Sequence, residues 1–499
     1  MVYVKSLEVN KIYSKNYINI KMLLRVIGWL LMIEAGFMTV PCITGLCYGE
    51  GSWLSFLLSI GITAGSGVSM MSLKPKSREM GRREAILLTG LTWVILSLFG
   101  MLPFILTRTH LSVTDAFFET MSGYTTTGAT VLNSLTGVPH SILLWRCIVQ
   151  WIGGLGIILF TLAVVPMLNY QGGMQLFNAE VTGITHDKLR PRVSYTAQGL
   201  WLVYIILTAL LVVMLNFTDV DFFDAVCLGL STMSTGGFST SDISVTEMDN
   251  LYVKIVMSVF MFLGGVNFAL IYKAACGQFR SLIKNDALKV YLLLILGCYL
   301  LFVINGLIQG IIHNTADWTI DPIFQTISIL SSTGLTEPDF HDWGPIAVVL
   351  LIVMMFMGAC AGSTSGGAKI DRFIVLFKFI KNEFYRLMHP SAVTTVCING
   401  KGTSYLTVQK TLAFLFIYVM VVAGGGVGLV LMGLPLKDSF FCALSAVSNT
   451  GLGTDITGIQ GNYAYVPDAA KWLLAFIMLV GRLELFTVLV IFTRSFWKK

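Results

Sequence analysis

The sequence predicts an all-α polytopic membrane protein: four units of span, re-entrant half-helix and span in pseudo-fourfold arrangement about one axis, preceded by an extra two-helix hairpin. Three observations predict it. Of 499 residues, 55% are hydrophobic and only 12% charged, with mean hydropathy +0.77, which is more apolar surface than one water-soluble core can bury. Ten apolar runs are long enough to cross about 30 Å of hydrocarbon. One pattern, an Asp, a Ser seven residues later and a Gly thirteen after the Asp, occurs four times without a gap.

The first 25 residues are too polar, and the first apolar run comes too late, for a cleaved signal peptide, so that run is expected to stay as a helix. Runs at 26–47 and 53–71 lack the Asp, Ser, Gly pattern and form an N-terminal hairpin, residues 1–80. Runs at 85–106 and 141–168 flank Asp115, Ser122 and Gly128, giving a first unit over 81–190. Runs at 195–217 and 251–275 flank Asp224, Ser231 and Gly237 in a second, 191–283. A third, 284–400, carries Asp321, Ser328 and Gly334 between runs at 288–312 and 344–380. The fourth, 401–499, carries Asp438, Ser445 and Gly451 between 406–432 and 469–493. Asp-to-Asp steps of 109, 97 and 117 residues leave room in each interval for an outgoing span, a cytoplasmic segment and an incoming span. Four such units in one chain are expected to close like four subunits around an axis.

Charge sets the orientation. The segments on the side of the termini (1–25, 72–84, 169–194, 273–289, 369–410 and 494–499) hold 27 of the 33 Lys and Arg. By the positive-inside rule both termini are cytoplasmic and the four patterned loops lie on the outer half. The net charge of +6 thus reports topology and asks for no nucleic acid. Nine Cys without a CxxC, and six His without HExxH or GxSxG, point to no metal, disulfide or catalytic centre. An integral-membrane enzyme would cluster titratable residues in the bundle, and the runs carry few.

Each patterned loop reads as an N-cap Asp followed by about ten helical residues, or about 15 Å of helix. Four such C-terminal ends meeting inside the membrane would present partial negative charge to a cation. The Gly after each half-helix lets carbonyls turn inward, and the small polar neighbours in TTTGAT (125–130), STGGFS (234–239), SSTGLT (331–336) and SNTGLG (448–453) keep the lining narrow. Any one loop alone also reads as tight helix packing; four in register read as a carbonyl filter.

On these residues the chain resembles the Trk/Ktr/HKT superfamily of potassium transporters, whose members carry four M1-P-M2 units with one filter Gly per loop. The N-terminal hairpin and the ending MLVGRLELFTVLVIFTRSFW resemble its TrkH branch in particular. The resemblance covers nearly the whole chain. It implies potassium uptake across the bacterial cytoplasmic (inner) membrane, with potassium as substrate and no covalent cofactor. It further implies filter glycines Gly128, Gly237, Gly334 and Gly451, flanked by Thr126, Thr127, Thr235, Gly236, Ser332, Thr333, Asn449 and Thr450. Relatives that prefer sodium have Ser in the first loop, where this chain has Gly. Gly236 and Asn449 depart from the Thr and Ser pattern, so the ring is only approximately fourfold. A homodimer, and a cytosolic nucleotide-binding regulator of the TrkA kind docking on the basic loops, are also implied.

Two features point to gating. GACAGSTSGGAK at 358–369 is too rich in Gly and Ser for a stable helix and reads as an unwound loop or a close-packing kink. Gly358, Gly362, Ser363, Ser365, Gly366 and Gly367 match the family's intramembrane gating loop. Its likeness to a phosphate loop fails because Ala368 displaces the Lys. Arg482, about thirteen residues into the last span, needs a polar cavity or a partner. It either faces the pore below the filter or joins an ion pair, for instance with Glu119. Glu484, two residues on, would point to the opposite face and pair with another helix. Proton coupling would need a buried relay, for which Glu34, Glu119 and Glu484 are the few candidates.

Overall fold

The computed structural model describes residues 18–75, 80–107, 109, 111–154, 193–218, 220–241, 250–310, 315–336, 343–454, 457 and 462–497. Among them the only strands are a short antiparallel pair, Cys397–Ile398 with Lys401–Gly402. The hairpin comes first, as helices Ile20–Cys47 and Ser52–Met71. Its helices cross at Gly28 and Gly67: a Cβ on Gly28 would lie 2.7 Å from the Gly67 carbonyl oxygen, the close approach that small residues permit in lipid. In the turn, Glu50 accepts from the His140 N–H at 2.6 Å and the Ser141 N–H at 3.3 Å, tying the hairpin to the first unit. Partial burial raises its pKa, but these hydrogen bonds outweigh that and hold the carboxyl below its ordinary value.

Each unit then repeats one plan. The first has Arg82–Gly100 and Leu102–Leu106, a half-helix Val113–Tyr124 and the inner helix His140–Gly154. The second has Val193–Leu215, half-helix Phe222–Met233 and inner helix Leu251–Gly265. The third has Asp286–Gln309, half-helix Thr315–Leu330 and inner helix Pro345–Met357. The fourth has Tyr405–Leu431, half-helix Leu436–Ser448 and inner helix Asp468–Arg482. Every inner helix packs against the half-helix of the next unit, the fourth against the first, so the four close into a ring.

Among the described residues, six helices are unbroken spans by length and composition. The spans expected at 251–275 and 469–493 are not straight. The first bends by 105° between Gly265 and Phe268, the second by 113° between Arg482 and Phe486. Asn267 starts the new direction at the first bend by accepting from the Ala269 and Leu270 N–H groups. At the second, Glu484 and Leu485 take left-handed φ values of 55° and 46°, strain that the surrounding contacts must hold. The expected span 344–380 is split by the irregular loop 358–369, beyond which helix Ile370–Met388 begins, buried only over its first turns. That is the unwound reading, not a kink within a continuous helix. The span expected at 141–168 runs from the described helix into residues outside the described set.

The repeated Asp is not the N-cap. Ser112, Asp221 and Pro435 hold that position, and Asp115, Asp224 and Asp438 sit three residues later in the first turn, still favoured by the dipole. Asp321 lies farther inside its longer helix. Two of these carboxylates tie units together. Asp115 pairs with Lys471 of the fourth unit's inner helix at 2.5 Å, and Asp321 with Lys254 of the second unit's at 2.8 Å.

Candidate functional site

The four half-helices end in the same way. Thr126, Thr235, Ser332 and Asn449 hold φ values of 53°, 54°, 55° and 52°, the left-handed residue that closes a helix and is usually Gly. The N–H groups of Thr127, Gly236, Thr333 and Thr450 then donate to the carbonyls of Ser122, Ser231, Ser328 and Ser445 at 2.8–3.0 Å. This six-to-one bond defines a Schellman ending. The repeated Ser therefore marks the carbonyl that ends each half-helix. In three units a pair of hydroxyls stiffens the next step: Thr125 with Thr127 at 2.8 Å, Ser331 with Thr333 at 2.7 Å, Ser448 with Thr450 at 2.9 Å.

The extended segments that follow meet at the glycines. Gly128, Gly237, Gly334 and Gly451 have φ of 85°, 82°, 79° and 78°. A Cβ on Gly128 would lie 2.3 Å from the Gly236 carbonyl oxygen, one on Gly237 2.1 Å from that of Thr333, one on Gly334 2.2 Å from that of Thr450, and one on Gly451 2.1 Å from that of Thr127. The cycle closes on itself. Backbone conformation and space both exclude any side chain at these four positions. On one side the ring opens into a cavity lined by all four glycines together with Thr130, Arg146 and Asn462. Asn449 adds a tie between units, its Nδ2 donating to Thr127 Oγ1 at 3.1 Å and to the Met478 carbonyl at 3.0 Å.

The loop 358–369 lies against the half-helix ends, away from that cavity. The Gly366 N–H donates to Ser332 Oγ at 2.5 Å and the Gly367 N–H to the Ser448 carbonyl at 3.0 Å. A Cβ on Gly366 would come within 1.9 Å of the same Ser448 oxygen. Ser363 Oγ donates to the Cys360 carbonyl at 2.6 Å and lies 2.9 Å from Ser365 Oγ. Gly358, Gly362 and Gly367 all have positive φ. The second unit's bend docks here: Asn267 Nδ2 donates to the Ala361 carbonyl at 2.7 Å, and the Phe268 N–H to that of Gly362 at 3.0 Å.

Arg482 stands at the end of its inner helix and spans three units. It donates to the Thr364 carbonyl of the loop at 2.8 Å and to the Gly153 and Gly154 carbonyls of the first inner helix at 2.6 and 3.1 Å. The alternative partner Glu119 is engaged elsewhere. Glu484 does pair with another helix, at 2.5 Å from Arg372, but the reason differs from the one expected, because the helix has ended before it. Lys369, the last residue of the loop, donates to the Ser365 carbonyl and, at 3.2 Å, to Ser365 Oγ.

Sequence reading named Glu119 but missed its partner, Arg146, beside the ring. Arg146 Nε lies 2.8 Å from Glu119, with side chains 1% and 0% exposed. Glu119 also accepts from the Val131 N–H at 2.8 Å, and the guanidinium lies 4.1 Å from the centre of the Phe238 ring. A lone Arg inside an apolar run was the available signal. Glu119→Gln should destabilise the protein by about 3–5 kcal/mol, since it leaves a buried guanidinium uncompensated. Replacing both partners with Leu and Met should return much of that. Unfolding of the detergent-solubilised protein measures it, and a single-variant loss below about 1 kcal/mol would deny the pair a structural role.

A model of the TrkH family, described as a cation transport protein, matches residues 56–499. The chain is 35% identical over 489 residues to the Trk system potassium uptake protein TrkH of Salmonella typhimurium, covering 95% of this chain and 99% of that one. It is 31% identical over 490 residues to the Trk system potassium uptake protein TrkG of Escherichia coli, covering 97% and 100%. The crystal structure of the potassium transporter TrkH from Vibrio parahaemolyticus aligns with TM-score 0.87 at 31% identity, over 96% of this chain and all of that one. By this full-length match and its ring of four units, the chain belongs to the TrkH family of cation transport proteins.

Proposed function

We propose that this chain takes up potassium across the bacterial cytoplasmic membrane, through a filter formed by residues 126–128, 235–237, 332–334 and 449–451. The observation that carries the reading is the closed cycle of four glycines and four neighbouring carbonyls, the type of lining that replaces an ion's hydration shell. The names of the relatives, potassium uptake proteins of Trk systems, support the choice of ion. The gate is the loop 358–369 together with Arg482. The units run over 81–190, 191–283, 284–400 and 401–499 behind the hairpin 1–80, with both termini in the cytoplasm. The chain works as a homodimer under a cytosolic nucleotide-binding regulator of the TrkA kind.

Transport is channel-like. The three carboxylates that could relay protons have separate partners, Glu34 with Tyr124 at 2.7 Å, Glu119 with Arg146 and Glu484 with Arg372. The competing reading is symport with protons or sodium. Both are tested by potassium flux in proteoliposomes under an imposed potential, with and without pH and sodium gradients. Accumulation that tracks voltage alone is expected. Accumulation driven by either gradient at zero potential would establish symport, and no potassium flux under any condition would remove the uptake reading.

A further inference from the structure

One layer of the ring is built differently in the second unit. Gly236 stands where the other units have Thr127, Thr333 and Thr450. Backbone conformation does not require it, because Gly236 lies outside the left-handed region that Gly128, Gly237, Gly334 and Gly451 share. What occupies the space a side chain would take is the amide of Gln150. A Cβ on Gly236 would lie 2.4 Å from its Cδ, 2.5 Å from its Oε1 and 2.8 Å from its Nε2.

Gln150 comes from the first unit's inner helix and is 0% exposed. Its Nε2 donates to the Gly236 carbonyl at 2.7 Å, while Oε1 accepts from Ser231 Oγ at 2.8 Å and from the Phe238 N–H at 3.2 Å. One amide thus holds the segment on both sides of Gly237, through Gly236 and Phe238, and ties it back to the half-helix at Ser231. In the other units the residue at this layer is held by a hydroxyl of its own segment. In the second unit Ser234 has no hydroxyl to meet at 236; its bond to the Ser231 carbonyl, at 2.9 Å, is one that Thr125, Ser331 and Ser448 also make to the carbonyls of Ser122, Ser328 and Ser445.

We infer that Gln150 is a specificity-determining positioning residue: its amide replaces the missing threonine side chain, sets the Gly236 carbonyl in the ring, and makes glycine obligatory at 236. This rests on the filter reading above. Gln150 and Gly236 form one exchangeable pair, so changing either alone breaks the layer and changing both rebuilds it in the form the other three units use.

The test reads potassium and sodium flux in proteoliposomes for the unsubstituted protein, Gly236→Thr, Gln150→Met, Gln150→Ala and the double variant Gln150→Ala/Gly236→Thr, with thermal unfolding in detergent alongside. Gly236→Thr should lose most potassium flux. Gln150→Met, of similar volume, should keep potassium flux but lose discrimination over sodium by about tenfold, the factor one hydrogen bond can carry. The double variant should regain most of both, and should regain folding if either single variant loses it. Wild-type behaviour of Gly236→Thr, unchanged discrimination in Gln150→Met, or a double variant no better than its parents overturns the pairing while leaving the filter standing. Equal fluxes of the two ions in the unsubstituted protein would instead remove the filter reading, and this inference with it.

Discussion

Gly128→Ser is expected to remove most discrimination between potassium and sodium. The new Cβ would lie 2.3 Å from the Gly236 oxygen and 3.4 Å from its carbon, at a φ of 85° that side-chain-bearing residues rarely adopt. Either the first segment leaves its conformation or the carbonyl opposite moves. In both cases the ring widens on one side, and a looser cage no longer favours the larger, more easily dehydrated ion. A change of about 1.4 kcal/mol in the difference between the two ions is tenfold in selectivity, and a shift of that size or greater is expected. Permeability ratios from reversal potentials in reconstituted membranes read it directly. An unaltered ratio in folded protein would count against the filter assignment.

Arg482→Ala should act on the opposite quantity, raising flux while leaving the ratio near its original value. On the proposed reading, the ring residues are untouched while a positive charge beside the path is removed. At an effective dielectric constant of about 20, a unit charge about 8 Å from a permeating cation is worth about 2 kcal/mol, or roughly thirtyfold in rate. The same change leaves the Thr364, Gly153 and Gly154 carbonyls without their donor and frees the loop from the first unit, leaving its bond to Ser448 of the fourth. Both effects open the path. Arg482→Lys, which keeps the charge with fewer donors, should fall between. Flux that drops together with the yield of folded protein would show that the arginine serves packing alone.

The residues that were legible in the sequence are those whose backbone duty restricts them to one type. Gly128, Gly237, Gly334 and Gly451 admit nothing larger, so their spacing survived as a visible repeat. The half-helix endings were hidden because Thr126, Thr235, Ser332 and Asn449 do what Gly usually does, and a Thr in a loop carries no such signature. The bends at 266–267 and 483–485 were hidden for another reason. Gly264 and Gly265 precede the first bend and Gly481 the second, but glycine is frequent in membrane helices and by itself marks no turn; the new directions are held where Asn267 finds the Ala361 carbonyl and Glu484 finds Arg372, partners distant in sequence. Gln150 was invisible on the same ground. The loop and Arg482 lie in the last two units, yet the loop is held by groups of all four: Gly153 and Gly154 through Arg482, Asn267, Ser332 and Ser448.

A ring folded from one chain has a seam, the junction between the first and last units, which no linker joins directly. Here the seam is sewn by side chains and a fragment of sheet. Asp115 meets Lys471, Phe117 stacks on Trp472 with centroids 4.6 Å apart, Thr130 bridges to Asn462, and Asn449 reaches Thr127. Circular order at that point is therefore written in surface complementarity rather than in connectivity. The pore can be closed by recognition where the polypeptide itself leaves it open.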